Sequence, residues 1–465
     1  MSYTSKVEIE TALHRMREEN LALANALTDE ALLTDYCALV TEKENDGTTV
    51  DVWTAAFQAA LNEHQIIRIP RRDTPYWIDS TVTVPSNRKI IAEDGAVIKQ
   101  MKDVKVLMLR NEHTADGTHA PIPDGTADQN ITIIGGRWEE SYTYRAGYGY
   151  SGMYDENRSF FGVSTCMLFN NVEHVTLQNM EFAHTAGFSA QFGNIKDLMA
   201  ENITFDSCYA DGLHINGNSE RVWVRNLSGQ VGDDLVAWNM YDWQNSSVNF
   251  GPLKTAIVED GHSESGYRAI RIEPGTYYYD DGSSVDCALE DAILRRVDGV
   301  EVFKMYYQTP AYLYDVGEPE KGDVGSVNNV YFEDIDLDLT GPIDKFHEYM
   351  TADPIRGKFA AFEICAKAGR ITFENIRVTL HRDTFPLSSF ILVGPKSIKR
   401  ENKEIFDPYV SGVVDEIVLS GITVNGIPVT AENAKDYIST VSFDDLYGDG
   451  KACGTGTINQ ITVLN

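Results

Sequence analysis

Short runs of alternating apolar and polar residues recur along most of this chain. The runs are rich in Val, Ile, Thr and Phe, which favour extended backbone. Three of them stand in related phrases, NVEHVTLQNMEF from Asn171, NIKDLMAENITF from Asn194 and NSERVWVRNLSG from Asn218. The steps between these phrases are 23 and 24 residues. A fixed period of this length is typical of a solenoid, in which each repeat stacks on the one before it.

The repeated phrases also share a polar position, which is occupied by Asn179, Asn202 and Asn226. Asn tolerates the bent backbone of a turn, and its side-chain amide can bond to the same residue in the next coil. Similar phrases recur near residues 329, 369 and 415. The pattern therefore predicts an all-β protein, a right-handed parallel β-helix over residues 76–465. An antiparallel sandwich is the alternative, but its strands do not keep a fixed phrase at a fixed period.

Residues 1–75 follow a different pattern. VEIETALHRMREENLALANAL, from Val7, places apolar residues at helical spacing among strong helix formers. The stretch from Glu44 to Arg71 predicts a loop, a second helix and a first strand. The open end of a solenoid exposes backbone groups and apolar side chains. We therefore expect residues 1–75 to form a helical segment that caps the amino-terminal end of the solenoid.

Composition limits the partners of the chain. It has 465 residues, of which 43% are hydrophobic, and this is enough to build a large core. Its net charge of −31 argues against nucleic acid and against an anionic membrane. There is no apolar run of membrane-spanning length and no basic-then-apolar start. These features predict a cytoplasmic protein with no membrane partner.

Three carboxylates stand out within the repeats. Asp211 is followed 22 and 23 residues later by Asp233 and Asp234, which is about one period of the solenoid. Residues one period apart lie on the same face of neighbouring coils, so we expect the three side chains to meet in one cleft. The alternative is that DG and DD are ordinary turn residues, since Asp is common in turns.

Carboxylates brought together in this way have the chemistry of glycoside hydrolysis. One group donates a proton to the leaving oxygen, while an ionised group activates water. Neighbours in a regular strand point to opposite faces, so Asp233 and Asp234 reach one cleft only from a strand edge or a bulge. This chemistry needs an oligosaccharide substrate, and we expect neither a cofactor nor a metal ion.

The phrases YADGLHI, which contains Asp211, and VGDDLVAWN, which contains Asp233 and Asp234, resemble the NTDGI…DDCIA pattern of polygalacturonases, glycoside hydrolase family 28 of the pectin-lyase-like β-helix superfamily. The resemblance is strong over about residues 165–240. It implies hydrolysis with inversion of configuration. It also implies that Asp233 is the general acid and that Asp211 and Asp234 are the carboxylates that activate water.

Other motifs of that family are only partly present. Tyr209 stands where the family has Asn. The Gly-His-Gly motif has two counterparts within GHSESGYRAIRIEPG: His262 lies in a Gly-His pair, while alignment of the strand phrase places Arg268 near the position of the family's histidine. The Arg-Ile-Lys motif, which holds the galacturonate carboxylate in that family, has a loose counterpart in DGVEVFKMYY, with Lys304.

Several side chains are candidates for binding substrate. Arg268, Arg271 and Lys304 can clamp a sugar carboxylate, or they can form ordinary salt bridges. His214 either contacts the substrate or orients a carboxylate from the protein interior. We include it with His262 and these three cations among the predicted substrate-binding residues.

Tyrosine is concentrated in a few segments. The stretch 140–162 is rich in Tyr and Gly, and GTYYYDDGSS and KMYYQTPAYLYD contribute more tyrosines, including Tyr307. Tyr rings stack on sugars, so stretch 140–162 is a candidate lid and Tyr307 a candidate substrate contact. Tyr is equally common in subunit interfaces, and a homo-oligomer is the alternative interpretation.

The sequence thus predicts an inverting, exo-acting glycoside hydrolase that removes terminal sugars, galacturonate or a related residue, from short oligosaccharides. The alternatives are another β-helix enzyme of the polysaccharide lyase, epimerase or fructotransferase type, and a non-catalytic carbohydrate-binding solenoid. A lyase commonly uses Ca²⁺. Asp280 and Asp281 have the chemistry for it, but their setting is typical of a turn.

Overall fold

The computed structural model describes residues 3–102, 104, 106–114, 127–141, 165–242, 247–265, 268–279, 281–299, 325–339, 360–364, 366–384, 386, 388–394, 412–443 and 452–464. The chain divides into two compact units. The amino-terminal unit comprises Glu10–Val231 and Gln244–Phe250, and the carboxy-terminal unit comprises Met1–Ile9, Gly232–Trp243 and Gly251–Asn465. The boundary near residue 75 that we expected from the sequence stays a prediction.

The amino-terminal unit contains most of helix α1 (Lys6–Asn25), helix α2 (Thr54–Glu63), a 3₁₀ helix (Leu33–Leu39) and fifteen strands among its described residues. The strands are β1 (Glu30–Leu32), β2 (Thr41–Asn45), β3 (Thr48–Val52), β4 (Ile66–Ile69), β5 (Tyr76–Ile78), β6 (Val82–Val84), β7 (Arg88–Ala92), β8 (Val97–Gln100), β9 (Leu109–Asn111), β10 (Asp128–Ile134), β11 (Arg137–Glu139), β12 (Thr165–Ala183), β13 (Phe188–Cys208), β14 (Leu213–Asn216) and β15 (Ser219–Val231).

The carboxy-terminal unit is also built of strands, with a short 3₁₀ helix (Ala434–Asp436). Its described strands are β16 (Asp234–Asn239), β17 (Leu253–Ser265), β18 (Arg268–Ile272), β19 (Gly275–Tyr278), β20 (Ser284–Cys287), β21 (Leu289–Gly299), β22 (Ser326–Leu339), β23 (Ala360–Ile364), β24 (Lys367–Leu380), β25 (Ser389–Val393), β26 (Val413–Ser420), β27 (Thr423–Val424), β28 (Ile427–Pro428), β29 (Ile438–Ser439), β30 (Val441–Phe443), β31 (Ala452–Thr455) and β32 (Thr457–Leu464). Within the described chain, no helix is long and apolar enough to cross a membrane.

Parallel pairing from coil to coil confirms the predicted right-handed parallel β-helix in both units. In the amino-terminal unit, Val175 of β12 pairs with Leu198 of β13, 23 residues later. In the carboxy-terminal unit, Leu253 of β17 pairs with Leu289 of β21, and Ala368 of β24 pairs with Val414 of β26. The pairing stays in register although the coils of the carboxy-terminal unit are longer and differ in length. The apolar side chains of alternate positions fill the interior of the coils.

The Asn side chains of the repeat form the ladder that the sequence predicted. Asn179, Asn202 and Asn226 have φ angles of 53°, 56° and 53°, so each bends the long strand that carries it, β12, β13 and β15 in turn. The amide of Asn202 donates to Asn179 at 2.8 Å, and that of Asn226 donates to Asn202 at 2.5 Å. Asn is among the few residues that adopt this left-handed conformation at low cost, and each amide also joins two neighbouring coils.

The predicted cap is formed by α2. Its Phe57 and Ala60 are buried, and its Gln58 side chain bonds to both backbone groups of Thr83 in β6. Gln58 accepts from the Thr83 N–H at 2.8 Å and donates to the Thr83 carbonyl at 2.9 Å. The side chain therefore takes the place of a neighbouring strand at this edge of β6.

Helix α1 differs from the expectation that it would cover the end of the solenoid. In the amino-terminal unit it packs against the outer side of successive strands, where the Asn20 amide donates to the carbonyls of Val175 at 3.3 Å and Asp197 at 3.0 Å. The physical reason is the composition of its buried stripe, which includes a polar residue able to pair with strand backbone. This stripe consists of Ile9, Leu13, Met16, Asn20 and Ala24.

Candidate active site

Asp211 lies in the turn between β13 and β14 of the amino-terminal unit. Its backbone carbonyl accepts from the N–H of Ser189 at 2.9 Å, which fixes the turn against the preceding coil. The side chain is 2% exposed. A carboxylate this deeply buried requires hydrogen-bond partners, because leaving a buried charge without them is costly.

His214 is one such partner. Its Nδ1 lies 2.6 Å from Oδ2 of Asp211, and its Nε2 lies 3.2 Å from the side-chain nitrogen of Asn216. Asn216 is held in turn, because its side-chain oxygen accepts from Gln191 at 2.9 Å and from the N–H of Val248 at 3.1 Å. The turn carboxylate, the imidazole and the amide therefore form one connected network.

The ring of Phe188 completes the surroundings of His214. The two rings are stacked with their centroids 3.8 Å apart and their planes 13° apart, and His214 is fully buried. His214 thus lies in the interior within hydrogen-bond distance of Asp211, and whether it also contacts the substrate stays a prediction. His184 lies in another turn, where its N–H donates to the carbonyl of Asp206 at 2.9 Å.

Asp233 and Asp234 lie at the start of β16 in the carboxy-terminal unit. The strand begins at Asp234, and Asp233 precedes it. The pair therefore sits at a strand edge, which is one of the two settings in which both side chains can reach one cleft. Asp233 is 2% exposed and Asp234 is fully buried. Asp211 belongs to the other unit, so the convergence of the three carboxylates stays a prediction.

Strand β18 lies beside β16 and carries two of the predicted substrate-binding arginines. Asp234 pairs in register with Arg268. The Arg271 guanidinium lies 3.7 Å from Oδ2 of Asp234 and donates to Oε1 of Glu273. Arg271 is 8% exposed and Glu273 is fully buried. This guanidinium is thus held between two buried carboxylates of its own unit, and its charge stabilises both.

The remaining predicted residues lie elsewhere. His262 is on β17, where its Nδ1 lies 2.5 Å from Oδ1 of Asp298 on β21, and both side chains are about half exposed. Lys304, Tyr307 and most of the Tyr-rich stretch 140–162 lie outside the described residues.

Glu140 is one residue of that stretch that the structure describes. Its side chain is 1% exposed, and one carboxyl oxygen accepts from the N–H of Ala186 at 2.7 Å. Burial raises the pKa of Glu140 to about 8, an effect that the single backbone hydrogen bond only partly offsets. Glu140 is therefore a carboxyl group that stays largely protonated at neutral pH.

Three side chains of the amino-terminal unit have atoms that could bind a metal ion and that lie close together. One carboxylate oxygen each of Glu112 and Asp128 and a ring nitrogen of His113 lie within 4.8 Å of one another. The buried Asp128 already accepts from the Ser86 hydroxyl at 2.9 Å and the Asn111 amide at 2.8 Å, and it lies 2.8 Å from Nδ1 of His113. These contacts give the carboxylate a structural role between neighbouring loops.

The sequence did not identify Asn216, Gln191, Phe188 or Glu273. The repeat contains a signal for two of them. Gln191 precedes His214 by one period and pairs with it in register, and Asn216 shares a strand face with His214. Glu273 likewise lies two residues after Arg271. Partners of a candidate residue are therefore to be sought two residues along the same strand and one period away in the sequence.

No protein-family model matches the chain, and the search of curated proteins found no relative. Among solved structures, the Yersinia enterocolitica family 28 exopolygalacturonase superposes with a TM-score of 0.50 at 11% identity, over 93% of this chain and 78% of that one. The catalytic domain of a GH87 α-1,3-glucanase in complex with nigerose gives 0.44 at 14% identity, over 82% and 66%. The Streptococcus pneumoniae surface adhesin PfbA gives 0.41 at 10% identity, over 93% and 97%. At these identities the likeness is one of fold, and it agrees with the parallel β-helix described above.

Proposed function

We propose that this protein is a glycoside hydrolase that acts with inversion and resembles family 28. The observation that carries the proposal is the set of buried carboxylates one sequence period apart, Asp211 before β14 and Asp233 and Asp234 at the start of β16. Burial of several acidic groups costs free energy, and functional sites are where proteins commonly bear that cost.

Each carboxylate takes the role that the resemblance implies. Asp233 donates a proton to the leaving oxygen, and Asp211 and Asp234 activate the attacking water. The charge of Arg271, 3.7 Å from Asp234, favours an ionised carboxylate there, which is the form that a base needs. Asp211 is held by a hydrogen bond from His214, which fixes the direction of its lone pairs.

The substrate in this proposal is a short oligosaccharide that ends in galacturonate or a related sugar. Arg268 and Arg271 stay the proposed contacts of an acidic sugar because both residues lie on β18, the strand that pairs with β16. The β19–β20 hairpin follows that strand directly and presents Tyr278, which is 52% exposed. Its neighbours Tyr277 and Tyr279 pack edge to face with centroids 5.0 Å apart, which gives a firm aromatic surface for sugar stacking.

The proposed action is release of single terminal sugars. An enzyme that binds its substrate in a pocket admits chain ends only. Viscometry of a polygalacturonate solution tests this. We expect viscosity to fall little while monosaccharide accumulates slowly, and a rapid fall would contradict exo action.

The roles of the carboxylates are tested by Asp→Asn replacements at 211, 233 and 234, assayed on nitrophenyl glycosides and pectic oligosaccharides. Asp233→Asn should lose about 10²–10⁴-fold in kcat on substrates with poor leaving groups and much less on nitrophenyl substrates, which need little protonation. Asp211→Asn and Asp234→Asn should lose activity on both kinds. Asp383→Asn, at an exposed site, is the control and should keep full activity.

The stereochemistry and the class of reaction are read from the products. NMR of the first-formed sugar should show the anomer opposite to that of the substrate, and retention would exclude the proposed mechanism. A lyase would give unsaturated products that absorb in the ultraviolet and carry no added water. A binding protein without catalysis would bind the panel and turn over none of it.

A further inference from the structure

The contacts of Asn216 fix which way its side-chain amide faces. Its oxygen accepts from two donors, Gln191 at 2.9 Å and the N–H of Val248 at 3.1 Å. The amide nitrogen is therefore the atom directed at His214, 3.2 Å from Nε2. All four residues are buried, so turning the amide over would bring its nitrogen against two donors at once and would leave polar groups without partners.

This orientation determines where the imidazole carries its proton. Nε2 faces a donor, so it must accept and cannot carry hydrogen. The proton of the neutral ring is then on Nδ1, which points at Oδ2 of Asp211 at 2.6 Å. The stacked ring of Phe188, with centroids 3.8 Å apart, fixes the plane of the imidazole.

The same arrangement opposes a second proton on the ring. A protonated imidazole donates from both nitrogens, and its Nε2–H would point at the Asn216 amide nitrogen. The contact of Nε2 with the Asn216 amide therefore favours the ring form in which His214 donates to Asp211 from Nδ1.

We propose that His214 is a positioning residue that orients Asp211 for the activation of water, and that Asn216 sets its tautomer. The inference rests on the proposed hydrolase function and extends it. It assigns Asp211 a donor within its own unit, the Nδ1–H of His214. His214 itself makes no contact with the substrate.

Replacing His214 by Asn or by Gln tests the contacts of Nδ1 and Nε2 separately. In His214→Asn the side-chain nitrogen lies near the place of Nδ1, so a donor to Asp211 is kept. In His214→Gln the longer amide reaches toward the place of Nε2, so the contact with Asn216 is kept and the one with Asp211 is lost. Both replacements remove the ring from Phe188 and should lower thermal stability by similar amounts.

On a substrate that the wild-type enzyme turns over, we expect His214→Asn to keep kcat within about tenfold and His214→Gln to lose about 100-fold, with KM nearly unchanged in both, since misplacing a reacting group by about 1 Å costs about that factor. A purely structural role would lower the kcat of both variants equally, in step with stability. That result, or a large rise in KM in either variant, would overturn the proposal.

The tautomer is measured independently of turnover by ¹⁵N NMR of protein labelled in histidine, with the His214 signal assigned from its absence in His214→Asn. In the wild type we expect hydrogen on Nδ1 and none on Nε2. In Asn216→Asp a carboxylate faces Nε2, so we expect a proton on that nitrogen. Hydrogen on Nε2 in the wild type would refute the network. If the wild type hydrolyses none of the substrates, the hydrolase proposal fails, and the role assigned to Asp211 fails with it. The NMR result still shows whether Nδ1 of His214 donates to Asp211.

Discussion

Glu140 couples the stability of the protein to pH. Its pKa is raised to about 8 from an ordinary value of 4.5, and the cause is burial. Between these two values the folded state holds a proton that the unfolded chain releases. The stability contributed by this group is therefore complete below about pH 4.5 and is lost as pH rises toward 8.

We predict that Glu140→Gln removes this loss. The free energy of unfolding of the wild type should fall by about 4 kcal/mol between pH 4.5 and 8 through this group, since one pKa unit corresponds to about 1.4 kcal/mol. The variant has no titrating group at this position, so its free energy of unfolding should change less over the same pH range. Urea denaturation at several pH values measures the slope, and the comparison does not depend on any constant cost of the substitution.

The adjacent residue provides a control of opposite sign. Burial acts to raise the pKa of Glu139, but the hydrogen bonds and charges of Lys99 and Arg137 outweigh it and lower the pKa. Glu139 stabilises the folded state at pH values above the pKa that it has in the unfolded chain, and this stabilisation is lost as pH falls. Glu139→Gln should therefore make the protein less stable at neutral pH and should reduce its loss of stability in acid. Equal pH profiles for the two variants would contradict both assignments.

At the scale of elements, the Asn ladder combines two contributions that substitutions can separate. Asn202 has a φ of 56°, donates to Asn179 at 2.8 Å and accepts from Asn226 at 2.5 Å. Alanine lacks the amide and is strained at this φ, whereas glycine lacks the amide but adopts the conformation freely.

We predict that Asn202→Gly destabilises the protein by about 1–2 kcal/mol, the net value of one or two exposed amide hydrogen bonds. Asn202→Ala should cost about 1 kcal/mol more, which is the strain of a left-handed residue. Denaturant unfolding of both variants measures the difference. Greater stability of the alanine variant would show that the turn relaxes into another conformation.

The same elements show how far the sequence predicts this structure. The ladder was predictable because a side chain that bonds to its own copy in the next coil must recur at the period of the coil. The Asp211–His214–Asn216 network was not, because it depends on Val248, whose N–H comes from a loop that lies outside the repeat. Helix α1 was predicted as a helix, but its position depends on hydrogen bonds from Asn20 to strand carbonyls, which helical periodicity does not report.

At the scale of the whole molecule, charge is the dominant property. The chain has 70 acidic residues against 39 basic ones. Self-repulsion of a net charge this large destabilises the folded state, and salt screens it. Individual ion pairs such as Asp260 with Arg296, at 2.6 Å, are weakened by salt, but exposed pairs contribute little each.

We therefore predict that the thermal midpoint rises by several degrees between about 20 mM and 500 mM salt, a range over which the screening length falls from about 20 Å to about 4 Å. Scanning calorimetry in NaCl and in choline chloride measures the shift, and similar shifts in the two salts would identify screening rather than binding of sodium. A falling midpoint would show that ion pairs outweigh the repulsion.

The register of the carboxy-terminal unit has a consequence for how such a chain can diversify. Leu253 pairs with Leu289, 36 residues later, and Ala368 pairs with Val414, 46 residues later, yet the strands remain aligned. The pairing thus tolerates chain segments of different length between one paired strand and the next. Insertions can therefore accumulate at the rims without disturbing the stacked framework, so a lineage can change what its loops recognise while inheriting the same scaffold, and a protein engineer can graft loops at the same positions.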